Sequence, residues 1–359
     1  MMEQLKKPHI GALFSGSLLS VAASVLIGLG MYLVRRIFAD SLPVDDYAAL
    51  YSLTALGVLV AGILRFGTAE ALLFVLAGKK DPAGDEGKHF FTGICLWNAA
   101  VFSLVTLGAA AFFAAGGGLG RLVISRSTWL LFLPFLFLSA FEALFANTFN
   151  ALGAFPRQYG VQLLKTALTV AGAWLARGVL TRAVLAFEVP LLIIFLVSLV
   201  YLRRLFRFEV LRGAWLTGVR ANAPRCLWLW LFSFSPLIFS ELATATLTGV
   251  STLREVAFFN IAVPVAMIVR SFYCVAMVFV PFAGAMNNAG DYRNLRRCIY
   301  AALAAVTVCG LLLIPVFRCG GAWLVTLLFG ERFVSAVPAA FLLSEAMLIA
   351  FSGQVNKIG

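Results

Sequence analysis

Residues 47–78 read YAALYSLTALGVLVAGILRFGTAEALLFVLAG directly after Asp46, and residues 256–287 read VAFFNIAVPVAMIVRSFYCVAMVFVPFAGAMN directly after Glu255. Each stretch is apolar and long enough to cross the hydrocarbon core of a bilayer, which takes about 20 helical residues. Each also carries one arginine. Arg65 stands 19 residues after Asp46 and Arg270 stands 15 after Glu255. The difference of four is about one helical turn, so the two arginines fall on the same face of equivalent helices. Two halves built on one plan are an internal repeat, a common construction among membrane transport folds.

The rest of the chain fits this reading. Of its 359 residues 62% are hydrophobic and only 12% are charged, about half the charged share of a soluble domain. That balance excludes an ordinary cytosolic enzyme, a disordered chain and a secreted disulfide scaffold. Ten apolar stretches are long enough to span: 10–34, 47–78, 89–115, 127–153, 159–176, 183–202, 226–250, 256–286, 298–317 and 333–352. The first carries no charge and exceeds the hydrophobic region of a signal peptide, so it is expected to stay as an anchor. The fold class expected is an all-α polytopic membrane protein of about ten helices in two pseudo-symmetric bundles. Residues 1–202 form a six-helix bundle, 203–225 a basic cytoplasmic linker and 226–359 a four-helix bundle.

Lys and Arg divide unevenly between alternate loops, 16 on the side of the N-terminus and nine on the other. By the positive-inside rule both termini are cytoplasmic. The net charge of +12 is then a topology signal and not a nucleic-acid surface. The segment 203–225, RRLFRFEVLRGAWLTGVRANAPR, interleaves basic residues with Phe206, Phe208, Leu211, Trp215 and Leu216. It reads either as a helix lying on an anionic leaflet or as a plain solvated linker.

Eight ionisable residues fall inside spans: Arg65, Glu70, Glu142, Lys165, Glu188, Glu241, Arg270 and Glu345. Leaving all of them against lipid would cost on the order of 20 kcal/mol, so most must face protein or a water-filled cavity. Lys165, Glu188 and Glu70 stand nearer span ends, where they are expected to reach the interface or a local partner. For Arg65 and Arg270 two readings stand. They are structural ion pairs with Glu142 or Glu241, or they line a cationic cavity whose planar guanidinium groups grip an anionic ligand such as a phosphate. Glu142, Glu241 and Glu345 are candidate partners of those arginines, protonated core residues or members of a proton relay.

No catalytic constellation accompanies these charges. The six cysteines are scattered without a C-x-x-C pair, and His9 and His89 lie near helix ends, so no metal site or cofactor is expected. A G-x-x-x-x-G-K-[ST] phosphate loop is missing, so the chain is not expected to hydrolyse ATP. Gly116–Gly120 reads as a flexible outer turn, and prolines 134, 190, 236, 264, 281 and 315 suggest kinked, rocking helices.

The segments DDYAALYSL (45–53), FGTAEAL (66–72) and LFGERFVSA (328–336) resemble the multidrug/oligosaccharidyl-lipid/polysaccharide exporter superfamily, and within it the bacterial O-antigen and exopolysaccharide flippases. The resemblance implies two helical bundles facing a central cavity, with the first, second, seventh and eighth helices lining it. Arginines on the second and eighth helices of related flippases bind pyrophosphate, and Arg65 and Arg270 fall on those helices here. The implied function is movement of an undecaprenyl-pyrophosphate-linked oligosaccharide across the bacterial inner membrane by alternating access, for lipopolysaccharide or exopolysaccharide biosynthesis. The chain is then not an enzyme. Its partners are the lipid-linked oligosaccharide, membrane lipids and other polysaccharide-assembly proteins. A peptidoglycan-precursor flippase, or a membrane polymerase or acyltransferase of the same pathway, is the alternative. Two features depart from the family. Ten spans are two short of its twelve, which reads as truncation of the second bundle, and residues 11–34 lack the acidic residue common in the cation-exporting members.

Overall fold

The computed structural model describes residues 10–77, 84–117, 124–206, 214–237, 241–271 and 292–355. All regular structure among them is helical: α1 (Ile10–Ser41), α2 (Val44–Leu64), α3 (Thr68–Ala77), α4 (Asp85–Ala114), α5 (Arg126–Ala151), α6 (Phe155–Leu175), α7 (Leu180–Phe206), α8 (Ala214–Leu237), α9 (Ala243–Val250), α10 (Leu253–Ser271), α11 (Tyr292–Phe329) and α12 (Val337–Val355), with a 3-10 turn at Glu331–Ala336. Among the described residues five helices are long and apolar enough to cross a membrane: Ala22–Ser41 of α1, α2, α4, α5 and Leu180–Arg203 of α7. The expected all-α polytopic class is the one observed.

The chain falls into two compact units, residues 29–256 and residues 1–28 with 257–359. In the first, α5 lies at the centre and touches α2, α3, α4, α6 and α7. Its sequence explains why. Phe132, Phe135, Phe141, Phe145 and Phe149 are all buried; Phe132 stacks on Phe135 with centroids 5.0 Å apart, and Phe141 meets Phe195 of α7 edge-on at 5.5 Å. Large rings fit because facing positions are small. A Cβ on Gly57 of α2 would meet the rings of Phe132 and Phe135 at 2.8 Å, and one on Gly172 of α6 would meet Ala186 of α7 at 3.2 Å. Small residues at helix crossings are how apolar helices gain contact where hydrophobic burial offers no preference over lipid. In the second unit, α11 packs on α12 and on the 3-10 turn, and Phe258 meets Phe333 edge-on at 6.3 Å.

Four boundaries differ from the sequence expectation. The second span is interrupted: α2 stops at Leu64 and α3 starts at Thr68. The basic segment 203–225 is not separate from the helices around it, since α7 runs on to Phe206 and α8 begins at Ala214, taking in Arg220 and Arg225. The seventh expected span, 226–250, is divided between α8 and α9. The ninth is far longer than expected, because α11 continues through Pro315 and Arg318. Arg121, Pro281, residues 272–286 of the eighth expected span and the tail 356–359 lie outside the described residues.

Candidate functional site

Arg65 occupies the interruption of the second span. It caps the C-terminal end of α2 with φ −68° and ψ −18°, and the next two residues both take positive φ, +48° at Phe66 and +68° at Gly67. Gly67 adopts that conformation without steric conflict, whereas a bulky residue held there costs about 1 to 3 kcal/mol. The surroundings of Phe66 must therefore hold it.

They do so by satisfying the carbonyls that the broken helix leaves open, an obligation that is strict where no water is at hand. The carbonyl of Arg65 accepts from Thr68 N at 3.0 Å and from Thr68 Oγ1 at 2.7 Å. Asn98 of α4, fully buried, donates from Nδ2 to Thr68 Oγ1 at 3.0 Å and to its own helix at Ile94 O at 2.9 Å. Trp230 of α8 donates its indole N–H to Ile63 O at 2.9 Å. Gly67 lies directly against the α8 backbone, where a Cβ would come within 2.2 Å of Cys226 O and 2.5 Å of Trp230 N.

The break also arranges charge. Arg65 sits at a helix C-terminus and Glu70 in the first turn of the next helix, so each charge meets the end of the helix dipole that favours it. One apolar span thereby carries a cation and an anion five positions apart. Glu70, and after it Glu142, are the carboxylates whose charge acts on Arg65, yet among the described residues none lies within 4.0 Å of its guanidinium. Its Nε is buried and has no hydrogen-bond partner among the described residues.

The other intramembrane charges are arranged differently. Glu142 of α5 is bonded by Lys165 of α6 and accepts from Gln162 Nε2 at 3.1 Å. The structural ion pair considered for Arg65 with Glu142 is thus made by Lys165 instead, which has found the local partner expected of it. Of the two outcomes expected for Glu188, the interface or a local partner, it does not reach the interface: it is 7% exposed on α7 and meets the backbone of Phe135 on α5. Glu241 is half-buried just ahead of α9, and Glu345 is half-buried on α12. Arg270 lies on α10, one residue before the last described position; its side chain lies outside the described residues.

Among the described residues no cluster of His, Cys, Asp and Glu has the makings of a metal site. A shallow cleft lies between α5, α6 and α7, lined by Glu142, Gln158, Gln162, Phe195 and Ser198 among others. Asn98 and Trp230 were not among the residues singled out from sequence, and Gly67 and Thr68 entered only as part of FGTAEAL (66–72), with no role of their own. The usable signal was the order Arg65, Gly67, Thr68, Glu70, a helix stop followed at once by a helix start.

The chain aligns with solved structures over nearly its whole length. An inward-facing multidrug resistance MATE family transporter of the MOP superfamily aligns with a TM-score of 0.63 at 15% identity, covering 94% of this chain and 88% of the other. The chain has the MATE transporter fold. A variant of the MATE transporter VcmN from Vibrio cholerae aligns with a TM-score of 0.60 at 17% identity, over 96% and 83% of the two chains. An outward-facing MATE transporter aligns with a TM-score of 0.57 at 13% identity, over 97% and 83%. The MATE fold has therefore been seen in both inward-facing and outward-facing conformations. No protein-family profile and no curated protein sequence matches the chain.

Proposed function

We propose that this chain is a transporter that carries an undecaprenyl-pyrophosphate-linked oligosaccharide across the bacterial inner membrane by alternating access, with both termini cytoplasmic, and that Arg65 and Arg270 bind the pyrophosphate. One observation carries the reading. Arg65 is a permanent cation at the end of an interrupted intramembrane helix, its Nε buried without a hydrogen-bond partner among the described residues, while the nearby Glu142 is already committed to Lys165. An intramembrane cation without a close counter-ion is costly unless an anion comes to it, and a guanidinium matches two phosphate oxygens at once.

Two further points favour an anionic cargo over a cationic drug. Residues 11–34 of the first helix contain no carboxylate. The fold also accommodates more than one pocket chemistry, since a MOP superfamily transporter from Pyrococcus furiosus, aligned with a TM-score of 0.56 at 15% identity over 95% and 84% of the chains, is described as having a binding pocket of reverse polarity that suggests a different function. A peptidoglycan precursor carries the same pyrophosphate and would be held by the same groups.

The test is reconstitution into proteoliposomes with a fluorescent undecaprenyl-pyrophosphate disaccharide, its passage between leaflets followed by dithionite quenching. Transport should fall in the order Arg, Lys, Ala at positions 65 and 270, with folded protein held constant. Wild-type rates from the double alanine variant would reject the assignment.

A further inference from the structure

The interruption that carries Arg65 is closed from outside by one side chain of α8. Ile63 O, in the last turn of α2, accepts from Phe66 N at 3.3 Å and from Trp230 Nε1 at 2.9 Å. The indole bond is the shorter of the two. The same ring lies 5.8 Å from the ring of Phe66, the residue held at φ +48°. The backbone beneath it covers Gly67 so closely that no side chain fits between them.

We infer that Trp230 is a positioning residue for Arg65. Its N–H supplies the bond that continuing the helix would otherwise supply, and its ring bears on the residue that has left helical conformation. Helical residues 63 to 68 would need the Ile63 carbonyl for the amide of Gly67. With that carbonyl engaged by α8, the turn stays open and Arg65 stays at a helix end. Asn98 secures the start of α3 through Thr68, but it belongs to α4 within the first half of the sequence. Trp230 comes from beyond the basic segment 203–225, so a displacement of α8 reaches the arginine directly. Trp230 acts through the turn and needs no contact with cargo. The inference rests on the reading of Arg65 as a pyrophosphate ligand only in its consequence for transport; the control of the turn stands apart from it.

Two readouts on the full-length protein in proteoliposomes separate these parts. The first uses Phe66→Cys in a chain whose six native cysteines are replaced, and measures its alkylation by a water-soluble maleimide. Trp230→Phe, which keeps a ring but lacks the donor, should change that rate about fivefold, the worth of one hydrogen bond. An unchanged rate overturns the positioning role, whatever transport does. The second is passage of the fluorescent undecaprenyl-pyrophosphate disaccharide. Trp230→Phe should slow it about fivefold beside Arg65 and less than about twofold further beside Arg65→Lys, because the two act as one unit. Equal losses in both backgrounds overturn the inference. Wild-type transport by Arg65→Lys and Arg65→Ala would instead remove the pyrophosphate reading and leave the alkylation result to decide the turn. If Trp230→Phe lowers protein abundance, benzothienylalanine at 230 retains the indole's shape without its N–H. Reduced abundance with that residue too would mean a merely structural bond and overturn the assignment.

Discussion

Arg65 and Lys165 are both cations inside apolar helices, and the protein provides for them in opposite ways. Lys165 is bonded to Glu142 on the neighbouring helix, with Gln162 as a second donor to the same carboxylate. The pair is 22% and 18% exposed, so it is shielded from most of the solvent screening that makes surface pairs weak. Arg65 has a helix C-terminus and the carboxylates of Glu70 and Glu142 at a distance, with no counter-ion within 4.0 Å among the described residues. A cation whose charge is already neutralised holds helices together. One that is only partly compensated, at a place where the backbone is broken and braced from α4 and α8, is under our proposal the group that meets an anionic cargo.

The largest effect should come from breaking the neutralised pair. Lys165→Ala leaves Glu142 buried with Gln162 alone, and should lower stability by about 3 kcal/mol, the low end for a pair that keeps some exposure. The loss should be visible as a lower melting temperature in detergent, and Glu142→Gln added to Lys165→Ala should recover most of it. Gly67→Ala comes next, at about 2 kcal/mol, because the new methyl meets backbone atoms of α8 and sits at positive φ. Gly160→Ala on α6, where a Cβ meets nothing within 4 Å, is its control and should be neutral or gain up to about 1 kcal/mol. If the two glycine variants melt alike, the seating of α8 on the break is wrong.

The smallest effect is at the start of α10, the helix that the sequence pattern pairs with α2. Thr252 Oγ1 accepts from Glu255 N at 3.3 Å while the Glu255 carboxylate accepts from Thr252 N at 3.3 Å and from the Ser251 hydroxyl, a reciprocal capping box. Thr252→Ala should cost about 1 kcal/mol. The Ser251 hydroxyl first, and the Thr252 amide after it, hold the Glu255 carboxyl below its ordinary value. Its contribution is therefore present at neutral pH and fades as pH falls through the lowered value. Thermal melts of wild type and Glu255→Gln between pH 7 and 3 should converge at the acid end.

The fold class was legible because hydropathy over about 20 residues is a long-range signal that tertiary packing cannot overturn. The interruption at 65–67 was not, for the same reason. A window that averages over a span passes over Gly67, Thr68 and Glu70, whose meaning is local: Gly tolerates positive φ, Thr caps, and an acid favours a first turn. The partner of Lys165 was beyond reach from sequence. Glu142 lies on another helix, and which of several glutamates it would meet depends on how α6 packs on α5. Glu188 stood close enough to a span end to suggest an outlet to the interface, but α7 turns that position towards α5, and the side chain is buried. Trp230 carried no signal at all, since an indole in an apolar helix reads as one more hydrophobic residue until its donor is seen to meet an open carbonyl.

The central claim is that Arg65 serves the cargo whereas Lys165 serves the fold. The most direct measurement sets Arg65→Ala beside Lys165→Ala in the same proteoliposomes, recording melting temperature and the rate of fluorescent undecaprenyl-pyrophosphate disaccharide passage per folded molecule. Arg65→Ala should melt like wild type and lose passage about tenfold or more, the scale of a charged hydrogen-bonded contact. Lys165→Ala should melt early, with its folded fraction transporting near the wild-type rate. Wild-type passage by Arg65→Ala, or a loss of stability matching that of Lys165→Ala, would contradict the distinction between the two cations.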